Sequence, residues 1–536
     1  MLSSNLRQIL VALLLTTSVR ALDVTIPAQA PGAASSIAQD HVSLSIEQDR
    51  WVDWVGSTSR NEFFFNSLDN LDKLTGVPPR IRIGGQAADV ANQGSSSVQF
   101  CNAYYDNTTI SSNSPYPGAY SMAIGSDFYP TVRFLPKNTK VVTGVNYGAN
   151  DDLRASVYIS WITKAFTSPD VVDQGVTLEA IELGHEPDRY GKDNTFRSWD
   201  PKWSDTSAKY LPEWSNWVKN IIDIMRSGWL PPALDIPFWA GSISATGAKQ
   251  SNTWTGRYLL EHNLLPEAIA PNVKAFSQHH YSGSTCKGST KDLKSLVTKS
   301  SIRQGLDALK EDIAAAKSKG LEYVLGEANS FSCHGAADVS NVAGSAIWAL
   351  DYLLYASQLG ISRIYFHQGV GYKFNFLQPT TLSRSPLDNS VLSPPQEAHI
   401  EPSYHAALIA AEAIGSSGQT RVAELPTDNS AVSGYAFYSG DKLTKALFIN
   451  SDLYLKSDDS RSQTRINVKI DGAAPRLATI KRLSVPHSDE TSGLTWGGLS
   501  YETKDARPTG ISRVEVLDFS EGFDLRATEV ALISFD

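Results

Sequence analysis

Eight times between Val42 and His367 a short apolar, β-branched run gives way to residues with helical spacing, and beyond about Thr420 that spacing stops. The eight runs are Val42 to Glu47, Arg80 to Ile83, Lys140 to Asn146, Leu178 to Leu183, Ile236 to Ala240, Val273 to Tyr281, Leu321 to Leu325 and Ile361 to His367. Helices are predicted after several of them, over Leu153 to Phe166, Ser207 to Arg226, Ile302 to Lys319 and Val342 to Leu359, with a last one over Tyr404 to Ile414. Strand followed by helix eight times predicts a (β/α)8 TIM barrel of the α/β class. An open doubly wound sheet is the alternative, but no Gly-x-Gly-x-x-Gly joins a strand to a helix and there is no P-loop, so a nucleotide cofactor has no support. The runs Val432 to Tyr438, Thr444 to Ile449, Thr464 to Ile470, Ala478 to Val485 and Glu529 to Ser534 then read as a C-terminal β-sandwich.

The N-terminus reads differently. Arg7, the apolar run Ile9 to Leu15 and small residues around Val19-Arg20-Ala21 predict a secretory leader over residues 1–21. That run is far short of the roughly 20 residues a membrane span needs, so secretion is expected and membrane attachment is not. Residues 22–37 form a short strand at Val24 to Ile26 and a Pro/Ala/Gly/Ser linker, expected to pack on the β domain. The barrel is placed at 38–418 and the sandwich at 419–536. Of three cysteines, Cys286 and Cys333 each follow a barrel strand, the sixth and the seventh, so a disulfide between them is expected, with Cys101 free. Asn107-Thr108-Thr109 is a glycosylation acceptor. With 47 basic against 56 acidic residues the net charge is −9, and without a basic run nucleic acid is excluded as a partner. A monomer is expected.

Chemistry points to two glutamates. Leu183-Gly184-His185-Glu186-Pro187 closes the fourth strand, and Leu325-Gly326-Glu327-Ala328-Asn329-Ser330 closes the seventh before what reads as a polar loop. Barrel enzymes place reacting groups at the C-terminal ends of their strands, so the two carboxyls are candidates for acid/base and nucleophilic work on a glycosidic bond. Pro187 biases Glu186 towards an extended backbone. His279, His280 and His367 invite a metal reading, but no ligand set falls at the right spacing around them and this hydrolysis needs no metal.

These motifs, together with Ile81-Arg82-Ile83-Gly84-Gly85, His279-His280-Tyr281 and Gly369-Val370-Gly371-Tyr372, resemble those of glycoside hydrolase family 79, the β-glucuronidase and heparanase family. The resemblance spans nearly the whole mature chain. It implies that Glu186 is the acid/base and Glu327 the nucleophile of a retaining enzyme, and that Tyr281 hydrogen-bonds the nucleophile. It also implies that Gly371 and Tyr372 hold a uronic carboxylate through a backbone N–H and a phenol, and that Glu47 and Gln86 contact the sugar ring. Two positions depart from the pattern. His185 stands where relatives have an Asn that contacts the sugar 2-hydroxyl, and Phe331-Ser332-Cys333-His334 lacks the tyrosine that relatives offer past the nucleophile.

The resulting expectation is a secreted exo-β-glucuronidase without a cofactor, removing terminal glucuronic acid or its 4-O-methyl form from glycans. A barrel glycosidase on a neutral β-sugar and an inactive carbohydrate-binding barrel are the alternatives. An endo-acting enzyme for sulfated chains would want a basic cleft, which the composition lacks.

Overall fold

The computed structural model describes residues 21–94, 97–191, 196–227, 236–244, 252–286, 292–472 and 477–535. The predicted leader, Ala21 apart, lies outside them. Eight parallel strands close into a barrel in chain order: β1 Val42–Glu47, β2 Ile81–Gly84, β3 Lys140–Val145, β4 Thr177–Leu183, β5 Phe238–Ser244, β6 Val273–Ser284, β7 Glu322–Ser332 and β8 Arg363–Gln368. The open sheet is thereby ruled out. Apart from residues at some strand ends and Lys274, the strands are buried on both faces, which is why the runs read as nearly continuous apolar segments. Helices Asp152–Phe166, Tyr210–Arg226, Ala343–Leu359 and Tyr404–Ile414 pack outside. None of the described helices is long and apolar enough to cross a membrane.

The barrel interior is layered. Val142, Ala180, Trp239, Ala275, Val324 and Tyr365 fill its middle as a closed apolar cluster, with the Trp239 and Tyr365 rings edge to face at 5.0 Å. Above that plug, towards the C-terminal strand ends, the inward residues turn polar and charged.

The C-terminal domain is a sandwich. Strands Thr420–Leu425, Val432–Ser439, Lys442–Asn450, Glu529–Phe535 and Ala478–Ser484 are successive antiparallel neighbours in a larger sheet. A three-stranded sheet of Leu22–Pro27, Gln463–Asp471 and Phe523–Arg526 faces it across Val24, Ile26, Phe448, Ile466, Val468 and Leu525. Leu22–Pro27 runs parallel to Gln463–Asp471, with Leu22 opposite Ile466, so the first described strand belongs to the last domain.

Three features depart from the sequence-based expectation. Strand β7 does not stop at Leu325: it runs on through Ser332, so Ala328-Asn329-Ser330 is strand, not loop, because β6 also continues and pairs with it as far as Ser284–Ser332. A small sheet of Ala91–Gln93, Cys101–Tyr104 and Ser121–Ile124 rises between β2 and β3. A hairpin of Leu382–Arg384 and Val391–Gln396 follows β8. These last strands are short and largely solvated, so they carry little apolar signal. Cys286 and Cys333, just past β6 and β7, are disulfide-bonded with Cα atoms 5.2 Å apart, and Cys101 is free.

Arg303, on helix Lys299–Asp307, ties the domains together. It makes a bidentate pair with buried Asp351 at 2.6 and 3.0 Å and also reaches Glu424 (2.7 Å) and the Tyr435 hydroxyl (2.8 Å) across the interface. Removing one partner of such a pair strands the other charge in low dielectric. Arg303→Ala is therefore expected to cost roughly 3 kcal/mol and to lower the melting temperature by a few degrees; an unchanged melting curve would remove this clamp from the account.

Candidate active site

Strand register brings the polar residues together. Ser45 is paired with Arg82 across β1 and β2, His367 with Ser45 across β8 and β1, and His279 with Glu327 across β6 and β7. Opposite Leu325 and Glu327 the β6–β7 ladder slips by one residue, leaving Gly326 as a bulge. A Cβ on Gly326 would collide with Ser277 Oγ, so only glycine lets the strand bulge here and turn the Glu327 side chain into the barrel.

Glu186 is aimed by strain. Its backbone is left-handed, at φ 47° and ψ 58°, not the extended conformation that Pro187 predicts. A non-glycine residue holds such a conformation only when its surroundings over-determine it. Here the Glu186 N–H donates to Ser242 O at 2.9 Å, and the Glu186 carbonyl accepts from Arg189 N at 2.9 Å. On one side buried Asp89 accepts from the His185 N–H (3.0 Å), from Tyr147 N (2.9 Å) and from the Tyr190 hydroxyl. On the other, buried Asp188 accepts from Ser244 N (2.9 Å) and Ser244 Oγ (2.6 Å), locking the loop to the end of β5.

The two glutamates face each other. One carboxylate oxygen of each, with a ring nitrogen of His185 and of His279, all lie within 4.8 Å of one another. Such a group has the types and spacing to hold a cation, yet its charges are already matched from within. The fully buried Arg82 guanidinium pairs with both Glu182 oxygens and donates to Glu327 Oε2 (3.0 Å) and Ser45 Oγ (2.7 Å). Its Nη2 also lies 3.3 Å from His185 Nδ1. Arginine only donates, so Nδ1 must accept and the ring's proton sits on Nε2. Tyr281 donates its hydroxyl to Glu327 Oε1 at 2.8 Å, and His367 bridges Glu47 Oε2 (3.0 Å) and Ser45 Oγ (3.1 Å). Burial alone would push the Glu327 carboxyl up, but His367, His279 and Arg82 together hold it well below the usual carboxylate range. Burial likewise opposes ionisation of Glu186, and the His279 hydrogen bond with the neighbouring charges brings it below its ordinary value.

A cavity of about 630 Å3 opens over this ring and is lined by Glu186, Glu327, His185, Tyr281, Tyr372, Glu47 and Gln86, among others. The β2–β3 excursion roofs it with Thr109, Ser114 and Pro117 to Ala119. Glu47 is held from behind by the Ala87 N–H at 2.8 Å, and Gly85, at φ 84°, leaves room where a side chain would strike that carboxylate. One candidate fails: Gly371 does not present its N–H to the cavity. That N–H is donated to Gln378 Oε1 at 2.8 Å, and a side chain at 371 would strike the Tyr116 ring. Tyr372 lines the cavity, stacked on His334 at 3.9 Å. Asn107 is exposed on the roof, and Cys286 and Cys333 sit at the rim.

Arg82, Glu182, His279 and His367 carry roles that the sequence reading did not assign. The available signal was charge inside otherwise apolar strands, Ile81-Arg82-Ile83 and Ile181-Glu182-Leu183, where an unpaired charge would not be tolerated. His280 turns outwards to the Tyr352 hydroxyl (2.7 Å) and takes no part.

Residues 434–532 match the model of the glycosyl hydrolase family 79 C-terminal beta domain. A β-glucuronidase of Neurospora crassa is 26% identical, over 94% of this chain and 92% of its own. A β-glucuronidase of Aspergillus niger is also 26% identical, over 90% of this chain and 87% of its own. These similarities point to glycoside hydrolase family 79. The crystal structure of a 4-O-α-L-rhamnosyl-β-D-glucuronidase from Fusarium oxysporum shares this chain's fold, with a TM-score of 0.77 at 23% identity over 96% of this chain and all of that one. A family 51 arabinofuranosidase from Xanthomonas axonopodis pv. citri superposes less well, at a TM-score of 0.60 and 13% identity over 96% of this chain and all of that one.

This glycoside hydrolase therefore keeps Glu327 ionised through the histidines around it and the buried Arg82 guanidinium. In an Arg82→Lys variant the fork to Glu182, Glu327 and Ser45 cannot be remade, and kcat/KM is expected to fall at least roughly a hundredfold. Because Arg82 helps depress the Glu327 carboxyl, weakening it raises that pKa, and the acidic limb of kcat/KM moves to higher pH. An acidic limb that stays in place would show that Arg82 does not hold the charge on Glu327.

Proposed function

We propose that this protein is a secreted, glycosylated, retaining exo-β-glucuronidase that removes terminal β-linked glucuronic acid, or its 4-O-methyl form, from glycans. The observation that carries the mechanism is the approach of Glu186 and Glu327 carboxylate oxygens to within 4.8 Å. Carboxyls about 5 to 5.5 Å apart flank one anomeric carbon with no room for a water, so the second attacks directly, whereas inversion requires about 6.5 to 9.5 Å. Glu327, ionised and steadied by Tyr281 and Arg82, is the nucleophile. Glu186, across from it in the same cavity lining, protonates the leaving oxygen and later activates water.

The names of the two curated relatives favour β-glucuronides as the substrate class. Within the cavity, Tyr372 is the group placed to meet the uronate. Burial and the carboxylates of Glu47 and Asp49 keep its phenol protonated, so it donates to an anion without competing charge. His334, stacked against it and with Nδ1 3.3 Å from Ser114 Oγ, is the second polar group on that wall. His185 Nε2–H takes the place of an amide towards the sugar 2-hydroxyl. The roof over the cavity and the absence of a basic run in the sequence favour removal of a terminal residue over cleavage within a sulfated chain.

The test is release of nitrophenol from p-nitrophenyl β-glucuronide, with Glu327→Gln and Glu186→Gln each expected to lose at least roughly a thousandfold. Turnover of the β-glucoside in preference to the glucuronide would point to a neutral-sugar enzyme. No turnover of either, with glycan binding retained, would point to a carbohydrate-binding barrel. Proton NMR of the first product should show the β-anomer before mutarotation; an initial α-anomer would overturn retention.

A further inference from the structure

Between the acid/base and the rest of the charged ring sits His279, whose imidazole is 1% exposed. Its Nδ1 lies 3.1 Å from Glu186 Oε1, and its Nε2 faces Glu182 Oε1 at 3.6 Å. Glu327 is its partner across the strand pair, Arg82 lies beyond Glu182, and the His185 ring is 5.0 Å away. Both nitrogens thus face carboxylates, Nδ1 at hydrogen-bond distance and Nε2 just beyond it, and two anions on opposite edges favour the imidazolium over either neutral tautomer. We propose that His279 is the resting seat of the catalytic proton, which crosses from Nδ1 to Glu186 as the glycosidic bond breaks and returns when water is activated.

The inference rests on the two-carboxylate reading of the site. In the first step the Glu327 carboxylate supplies the electron pair for the new bond to the anomeric carbon, and the glycosidic C–O pair stays with the leaving oxygen. That oxygen takes a proton from Glu186, whose carboxyl is replenished as the Nδ1–H bond breaks and an Oε1–H bond forms. Glu186 ends as it began, a carboxylate, and His279 ends neutral. In the second step water attacks the anomeric carbon, its proton passes through Glu186 to Nδ1, and Glu327 departs as a carboxylate. The electrostatics run in step with this cycle. Burial disfavours a charged His279, but the carboxylates of Glu327, Glu182 and Glu186 overcome it and push the imidazole up to about 9, against the opposing charge of Arg82. Glycosylation of Glu327 removes one of those anions, so the histidine binds its proton least tightly in the intermediate, when that proton has been given away. His279 acts through Glu186 and is a positioning residue, not one that touches the sugar.

A merely structural histidine would change rates without moving titrations. In a His279→Gln variant Glu186 must hold the proton itself, so the alkaline limb of kcat/KM should move down by roughly two pH units or more. Alkyl β-glucuronides, whose leaving oxygen needs a full proton, should lose at least roughly a hundredfold, while 2,4-dinitrophenyl β-glucuronide, which needs none, should stay within about tenfold. An unmoved alkaline limb, or equal losses on both substrates, would overturn the proposal. A substrate-free readout separates it from the functional reading: ring 15N resonances of the free wild-type enzyme, assigned by their loss in His279→Gln, should show two protonated nitrogens at pH 7. A neutral ring there overturns the proton seat even if the enzyme is a glucuronidase, and a doubly protonated ring stands even if another sugar proves to be the substrate.

Discussion

A guanidinium with no exposure, enclosed by a barrel of strands, cannot exist without anions beside it. Arg82 meets that demand with Glu182 on β4 and Glu327 on β7, and so spans the barrel's width. That buried cation thereby fixes the position of Glu327, helps to keep it ionised, and presents a donor to Nδ1 of His185. The apolar plug of Trp239 and Tyr365 just below matters to the same end, since it seals the lower barrel and leaves the charged layer in a low-dielectric environment where each of these interactions is strong. The arrangement is costly in folding free energy, because desolvating this many charges is not recovered in full by pairing them. A site under selection for catalysis has reason to carry that cost, since donors and charges fixed before the reaction need no reorganisation during it.

The two reacting glutamates reach the cavity by different backbone devices. Glu327 gets there by a bulge inside a long strand, paired with His279 on β6 and set between the paired residues Leu325 and Ala328 on the β8 side. Glu186 sits beyond its strand in a left-handed turn pinned by Asp89, Asp188 and Ser242. Ser242, which accepts the Glu186 N–H, is itself left-handed at φ 51°, so the strain is shared between the ends of β4 and β5. The difference fits the tasks. In the proposed mechanism the nucleophile must stay within bonding distance of one carbon, while the acid/base must serve first a leaving oxygen and then a water.

Much of this was legible in the chain itself. Eight strand–helix alternations gave the barrel, because strands covered on both faces show as continuous apolar runs, and the loss of helical period near Thr420 marked the sandwich. Glu186 and Glu327 stood out because charge at a strand terminus has few structural uses. What did not show was anything that depends on contact across the barrel. Arg82 and Glu182 lie far apart in sequence, and each alone looks like an interrupted strand; their pairing exists only once the sheet closes. Spacing along the chain also misled the assessment of the histidines, since the carboxylates that surround His279 and His367 arrive from β1, β4 and β7. Gly371 failed for a related reason. A motif records that a backbone N–H is present, but not that Gln378, seven residues on, already occupies it. The extension of β7 past Glu327 was hidden because Ala-Asn-Ser has low strand preference, and its pairing with an equally extended β6 overrides that preference.

The substitution at position 185 draws these strands of argument together. An amide in that place would offer its N–H to the sugar in either protonation state of its surroundings, whereas an imidazole must be told which nitrogen is to donate. Arg82 does so, by approaching Nδ1 as a donor. Five ångströms away, His279 faces carboxylates on both edges and is charged. Two rings of identical chemistry thus meet unlike neighbours in one cavity, a guanidinium at Nδ1 of His185 and carboxylates on both edges of His279. A histidine can stand in that place because the same guanidinium that donates to Glu327 also presents a donor to Nδ1 of His185, leaving Nε2 to carry the N–H.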